Sequence, residues 1–192
     1  MSVNTEALTT LDNVKAFVSI TGSTTADDDL LEDLINRLTK VFENYCGVTH
    51  FKATDYVEYI DGVGGSIMFL KNIPIISVTE IVYDPDWVWT SSEDIVDSDD
   101  YRINQDGLYV VNKSYWDGGL QSYKVTYNAG YATIPDDLEQ SCIEEVWRKY
   151  KRRKELDVQI KTLEDGSQHF VNPSLMDSTV QVLSKYKRLR AL

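Results

Sequence analysis

Three stretches of this chain have residue types and spacing that could do chemistry, and each falls short of it. Asp61-Gly-Val-Gly-Gly-Ser66 is glycine-rich. It lacks the Gly-Lys-Ser/Thr ending with which a phosphate loop opens a helix, and it joins two segments of strand character, so it reads as a hairpin turn. Asp97-Ser-Asp-Asp100 has the acid spacing of a calcium loop. With Asp97 counted first, the sixth position is Arg102 instead of Gly, and the twelfth is Leu108 instead of a bidentate Glu. These carboxylates read as a solvated loop. Cys46 and His50 offer two zinc ligands with no second pair to complete four. His169 is the other histidine, and no Gly-x-Ser-x-Gly elbow accompanies either one. No catalytic residue, metal site or cofactor is expected.

Binding has more to recommend it than catalysis. Trp87, Trp89 and Trp116, with many of the twelve tyrosines, fall in the middle of the chain. Such rings could stack on sugars or single-stranded nucleic acid. They also fill small β cores and anchor protein interfaces, where Tyr and Trp are enriched, and that reading is preferred. Six cations occupy the seven positions Arg148 to Lys154. They surround a helix instead of striping one face, which suits solvent or an acidic partner at least as well as a phosphate backbone.

The elements that must position these residues follow from periodicity and caps. Leu11 to Val18 predicts a short helix, capped by Thr9 or Thr10, and Thr21-Gly-Ser-Thr-Thr25 a loop. Asp27 to Cys46 predicts the clearest helix: Leu30, Leu31, Leu34, Ile35, Leu38, Val41, Phe42 and Tyr45 keep i, i+3, i+4 spacing. Asp27-Asp-Asp29 meets the positive end of its dipole, and Gly47 offers a left-handed stop. From Asp55 to Tyr127 the texture changes to short strands. Tyr56–Ile60 and Ser66–Leu70 flank the glycine-rich turn; Ile75–Tyr83 follows Pro74; Tyr101–Ile103 and Leu108–Val111 flank Asp106-Gly107; Tyr123–Tyr127 closes the set. A helix then starts at Asp136, capped by Asp136 with Glu139 completing a capping box. Val158–Leu163 and His169–Val171 flank Glu164-Asp-Gly166 as a hairpin or flexible arm. A last helix follows Asn172-Pro173, with Ser174 as its cap.

Composition bounds the class. With 42% hydrophobic and 11% aromatic residues, the 192-residue chain is a folded protein. No run approaches the length of a membrane span, and Met1-Ser-Val-Asn-Thr-Glu6 is no signal peptide, so a soluble cytoplasmic product is expected. The net charge of −12 is uneven: residues 1–110 hold 6 Lys+Arg against 20 Asp+Glu, and residues 111–192 hold 13 against 11. Free binding to DNA phosphates is disfavoured by so acidic a body. Cys46 and Cys142 read as buried free thiols.

The order of these signals resembles the head-tail connector, or adaptor, family of tailed bacteriophages. The resemblance rests on the acid-started helix ending at Tyr45-Cys-Gly47 and on Phe69-Leu-Lys-Asn-Ile-Pro-Ile-Ile-Ser-Val78. Most specific is Val125-Thr-Tyr-Asn-Ala-Gly-Tyr131 followed by Ile134-Pro-Asp-Asp-Leu138, with the helix ending in Tyr150 and Arg152-Arg153. The resemblance implies an α+β fold: a helical ring body of three to four helices (1–54 and 128–155), an inserted small antiparallel β domain (55–127), and a C-terminal arm plus helix (156–192). It implies a structural virion protein of the neck, with no catalysis, forming a homo-oligomeric ring of usually twelve subunits under the portal. That ring extends the DNA channel toward the next neck or tail-completion protein, and DNA passes without specific binding. Leu183, Tyr186, Lys187, Arg188, Leu189 and Arg190 become candidates for portal contact. Arg148, Arg152, Arg153, Trp87 and Trp89 are candidates for subunit contact. The competing reading is a carbohydrate- or nucleic-acid-binding β module without catalytic activity.

Overall fold

The structure is a computed structural model that describes residues 2–18, 27–89, 95–153, 160–163, 166–169 and 175–187. The expected loop at 21–25, the turn at 164–165, the Ser174 cap and Arg188, Leu189 and Arg190 lie outside these residues. The fold class is α+β, as the sequence predicts. The chain divides into two compact units, Met1–Thr49 with Ile134–Leu192, and His50–Thr133.

The first unit is helical. Helix α1 (Leu11–Phe17) is capped by Thr10, whose hydroxyl accepts the Asn13 N–H. Helix α2 (Asp28–Cys46) buries Leu31, Ile35, Leu38, Phe42 and Cys46, one stripe at three- and four-residue spacing. Each such side chain contributes about 1.5–3 kcal/mol on burial. Gly47, at φ +71°, ends it in the left-handed region that a side chain resists. Helix α3 (Asp136–Arg152) lays Leu138, Cys142, Ile143 and Val146 against this core. Helix α4 (Asp177–Tyr186) completes it. The predicted capping box does not form. Pro135 holds the N-cap position of α3 and Asp136 is already helical. Glu139 Oε1 instead accepts from Thr9 Oγ1 (2.9 Å) and Asn13 Nδ2 (2.7 Å), which ties the start of α1 to α3. At α4, the N-cap position falls to Met176.

The second unit is a β unit of two three-stranded antiparallel sheets. Strands β1 (Thr54–Gly62) and β3 (Ile75–Tyr83) flank the long β6 (Gly119–Ala129) in one sheet. Strands β2 (Ile67–Met68) and β4 (Tyr101–Ile103) flank β5 (Val110–Asn112) in the other. The β4–β5 hairpin forms at Asp106-Gly107 as predicted, with Gly107 at φ +66° and too close to the Ile75 carbonyl for any Cβ. The predicted hairpin across Asp61–Gly65 does not form. β1 pairs with β6, Tyr56 opposite Tyr127, and its own neighbour β2 joins the other sheet. β6 buries Tyr123, Val125, Tyr127 and Ala129 and so recruits the strands on either side of it. Gly62 completes the arrangement, because a Cβ there would overlap the Asp117 carbonyl oxygen.

Trp116 is fully buried in this core, edge-on to Tyr123 (5.4 Å, 82°). The Tyr127 hydroxyl accepts the Asn72 N–H and donates to Glu58. The incoming and outgoing ends of the unit are joined: Ala53 N–H reaches Tyr131 O (3.0 Å), and Tyr131 N–H reaches Phe51 O (2.7 Å). Strands β7 (Ile160–Leu163) and β8 (Gly166–His169) pair as an antiparallel hairpin, the first of the two alternatives for this segment, with the return strand at Gly166–His169 where His169–Val171 was expected.

Candidate interaction surfaces

Helix α4 carries Leu183 and Tyr186, two of the six residues assigned to portal contact, with Lys187 directly after it, and its local structure decides which of these face outward. Met176 has no side chain that can cap a helix. Its backbone N–H is instead taken by Glu145 Oε1 of α3. Glu145 is fully buried, and its other oxygen is held by Arg148 through Nε (2.8 Å) and Nη2 (2.7 Å). A buried carboxylate is tolerated only with such a full set of donors. Further along, the Cys46 thiol donates to the Leu183 carbonyl (3.4 Å). At the end of α4 the Tyr186 hydroxyl donates to Asp137 Oδ1 (2.6 Å) and Lys185 Nζ lies 3.2 Å from Oδ2. The Tyr186 hydrogen bond first, then Lys185, hold the Asp137 carboxyl below its ordinary range. Lys187 sits 5.3 Å from the centre of the Tyr45 ring.

This geometry corrects the assignment of Leu183. With no exposed surface it is a core residue, because α4 turns that side toward α2 and α3. Tyr186 is half-buried and engaged by Asp137, while Lys187 is exposed.

The candidates at the end of α3 also divide. Arg148 is spent on Glu145. Arg153 lies 3.8 Å over the Tyr150 ring, donates to the Tyr150 carbonyl and reaches Asp27 at 3.5 Å. The Tyr150 hydroxyl donates to the same Asp27 carboxylate. Trp147 and Tyr150 stack at 5.7 Å and 15°, and Lys151 Nζ lies 4.5 Å from the Trp147 centroid. The end of α3 is therefore a layered set of rings and cations. Arg152 is half-buried beside them.

Trp87 and Trp89 are presented by a strained turn. Both have left-handed backbone (φ +61° and +58°), a conformation that costs about 1–3 kcal/mol in a residue with a side chain. Asp84 offsets it. One carboxylate oxygen accepts the Asp86 N–H (2.9 Å), the other the Val88 (2.8 Å) and Trp89 (2.6 Å) N–H groups. Those bonds, Trp89 foremost, hold the Asp84 carboxyl below the usual carboxylate range. The turn folds Trp89 edge-on against Tyr59 (5.2 Å, 64°). It swings Trp87 outward, its indole N–H donating to the Leu120 carbonyl (3.0 Å). Trp87 is 59% exposed, Val88 62% and Leu120 75%, so an apolar patch stands clear of the unit. Trp116, by contrast, is core and not part of any surface.

Sequence reasoning missed Glu145, Asp84 and Asp137. Glu145 falls three residues after Cys142 on the apolar stripe of α3, a position where a carboxylate must find donors. Asp84 precedes Pro85 in a turn, where Asp side chains bind backbone N–H groups two residues on. Asp97 does the same with Asp99 N–H (2.9 Å) in a short 3-10 turn, Ser98–Asp100. Among the described residues, no three His, Cys, Asp or Glu side chains group as a metal site. Burial raises the Cys46 thiol to about 11 and the Cys142 thiol to about 12, which leaves both protonated and unreactive. No helix among the described residues is long and apolar enough to cross a membrane.

This fold, a helical unit with an inserted β unit, is shared with solved chains of particle necks. The structure aligns over its full length with a chain from the neck of an empty gene transfer agent particle computed with C6 symmetry, at a TM-score of 0.64 and 15% identity, covering 95% of that chain. It aligns likewise with one from the neck of the native particle computed with C12 symmetry (TM-score 0.58, 14% identity, 98% of that chain). A chain from the virion of the native gene transfer agent gives 0.61 at 14% identity, with 95% of it covered. No curated protein matches the chain in sequence. The pattern that defines the head completion protein family matches residues 7–189, and the chain belongs to that family.

Proposed function

We propose that this chain is a structural subunit of the virion neck that closes a ring under the portal and extends the DNA channel toward the tail. The observation that carries the reading is the family match across residues 7–189, and the shared fold of neck chains supports it. Those necks were computed with C6 and C12 symmetry, which supports a homo-oligomeric ring of twelve copies here. A ring subunit works by shape and surface, and its role needs no reaction.

The acidic balance of the chain suits a channel through which DNA slides without being held. Subunit contact falls to Trp87 and the ring-and-cation end of α3. Portal contact falls to the C-terminal segment, to exposed Lys187 and to Arg188, Leu189 and Arg190, which follow it in sequence. The next neck or tail-completion protein binds the opposite face of the ring.

The test is electron microscopy of the full-length chain mixed with purified portal rings. A second ring stacked on the portal is the expected result. No association with portal, together with tight binding to glycans or oligonucleotides, would sink the reading.

A further inference from the structure

A closed ring of identical subunits needs two different surfaces on each copy, complementary to one another, because a self-complementary patch closes only a pair. The molecule has two surfaces of that kind. The first lies on the β unit, where Val57 and Tyr59 point outward from β1, 54% and 49% exposed. Trp87, Val88 and Leu120 continue the same patch, since Trp89 rests on Tyr59 and Trp87 is bonded to Leu120. Its rim is acidic: Asp61, whose carboxylate accepts the neighbouring Gln121 N–H (2.7 Å), and exposed Asp86 beside Trp87. The cation on this sheet face, Lys124, is half-buried opposite Tyr59 on β6. Across residues 50–133 there are 13 Asp+Glu against 5 Lys+Arg.

The second surface is the end of α3. There the stacked Trp147 and Tyr150 hold Lys151 and Arg153 against their faces. Lys149 and Lys151 extend the positive charge. The cations are already ordered by the rings, so little side-chain freedom is lost when they dock.

We propose that these two surfaces meet across neighbouring copies: the acid-rimmed aromatic patch of one chain takes the cation-bearing end of α3 of the next. The occupant is a second copy of this chain, selected by opposite charge around an apolar centre. Trp87 is the anchor and the charges set orientation and exclude the like-to-like pairing. The strained Trp87 turn then has a purpose, since it holds the anchor outward before contact. The inference rests on the ring reading and adds its pairing.

The experiment is a charge exchange in the full-length chain, with rings on portal particles counted by electron microscopy. Asp61→Lys with Asp86→Lys is expected to lower ring occupancy at least tenfold, and so is Lys149→Glu with Lys151→Glu. The four changes together are expected to restore at least half of it. Circular dichroism checks that each variant folds. As an independent readout, Val88→Cys chains mixed with Lys151→Cys chains are treated with a short thiol cross-linker, Cys46 and Cys142 being buried. The expected product is a mixed dimer joined between the two different chains. Normal rings from the charge-reversed chains, no rescue by the exchange, or no mixed cross-link overturns the pairing while leaving the ring. A wild-type chain that forms no ring overturns both.

Discussion

The two units handle polar and apolar groups in opposite ways. The helical unit ties its carboxylates to one another's elements: buried Glu145 and partly exposed Glu139, Asp137 and Asp27 each bind a donor from another helix or from the segment leading into it. The β unit turns its apolar groups outward. Of the large apolar side chains exposed among the described residues, Phe17, Leu30 and Val41 are in the helical unit and twelve are in the β unit. The lesson is a division of labour. Cross-helix hydrogen bonds and ion pairs make one unit self-contained, and uncovered rings leave the other unfinished until something covers them.

The contrast can be broken by substitutions, with the two units followed separately by peptide-resolved hydrogen exchange. Trp116→Ala should have the largest effect, about 3–5 kcal/mol lost from the β unit, because it empties the largest fully buried side chain. Faster exchange confined to residues 50–133 is expected; equal loosening of the helices would show the units are not separable. Glu145→Ala should cost the helical unit about 3 kcal/mol, since it removes the buried carboxylate that half-buried Arg148 and the Met176 N–H share. Release of α4 in exchange is the readout, and an unchanged α4 would mean Leu183 alone holds it.

Tyr186→Phe should be milder, about 1 kcal/mol at neutral pH. Its pH dependence sharpens the point. Asp137 has a folded-state pKa below its unfolded value, so its contribution is present above pH ~4 and is lost as pH falls through the folded value. Tyr186→Phe removes the main cause of that lowering. Acid melts of the variant should therefore lose less stability below pH ~4 than the wild type, and parallel curves would refute the assignment. Trp87→Ala should have the smallest effect on stability, within about 0.5 kcal/mol, because the ring is exposed. It should nonetheless abolish ring formation, and a ring-competent Trp87→Ala would remove the anchor.

Much of the helical unit was legible because its signals are local. The stripe of α2 and the glycine after it are written within twenty residues. The β unit was legible in its strands and not in their partners. Alternation places Tyr56 and Tyr59 on opposite faces but is silent on whether β1 pairs with β2 or with a strand sixty residues on. The capping box failed for a similar reason: Glu139 had a stronger use in a distant Thr9 and Asn13. At the surfaces, sequence shows residue type and not exposure. Leu183 read as a docking residue because a helix end shows its apolar stripe in sequence and never what fills the groove beside it.

The pairing of Phe51–Ala53 with Tyr131 has a last consequence. The β unit leaves and returns through adjacent strands, so its two ends form a single socket. A cassette held that way can be lengthened, shortened or exchanged without shifting the register of the helices on either side of it. Its outward rings could then track a changing neighbour while the helical unit stays as it is, which makes the socket the point at which one neck could diverge from another.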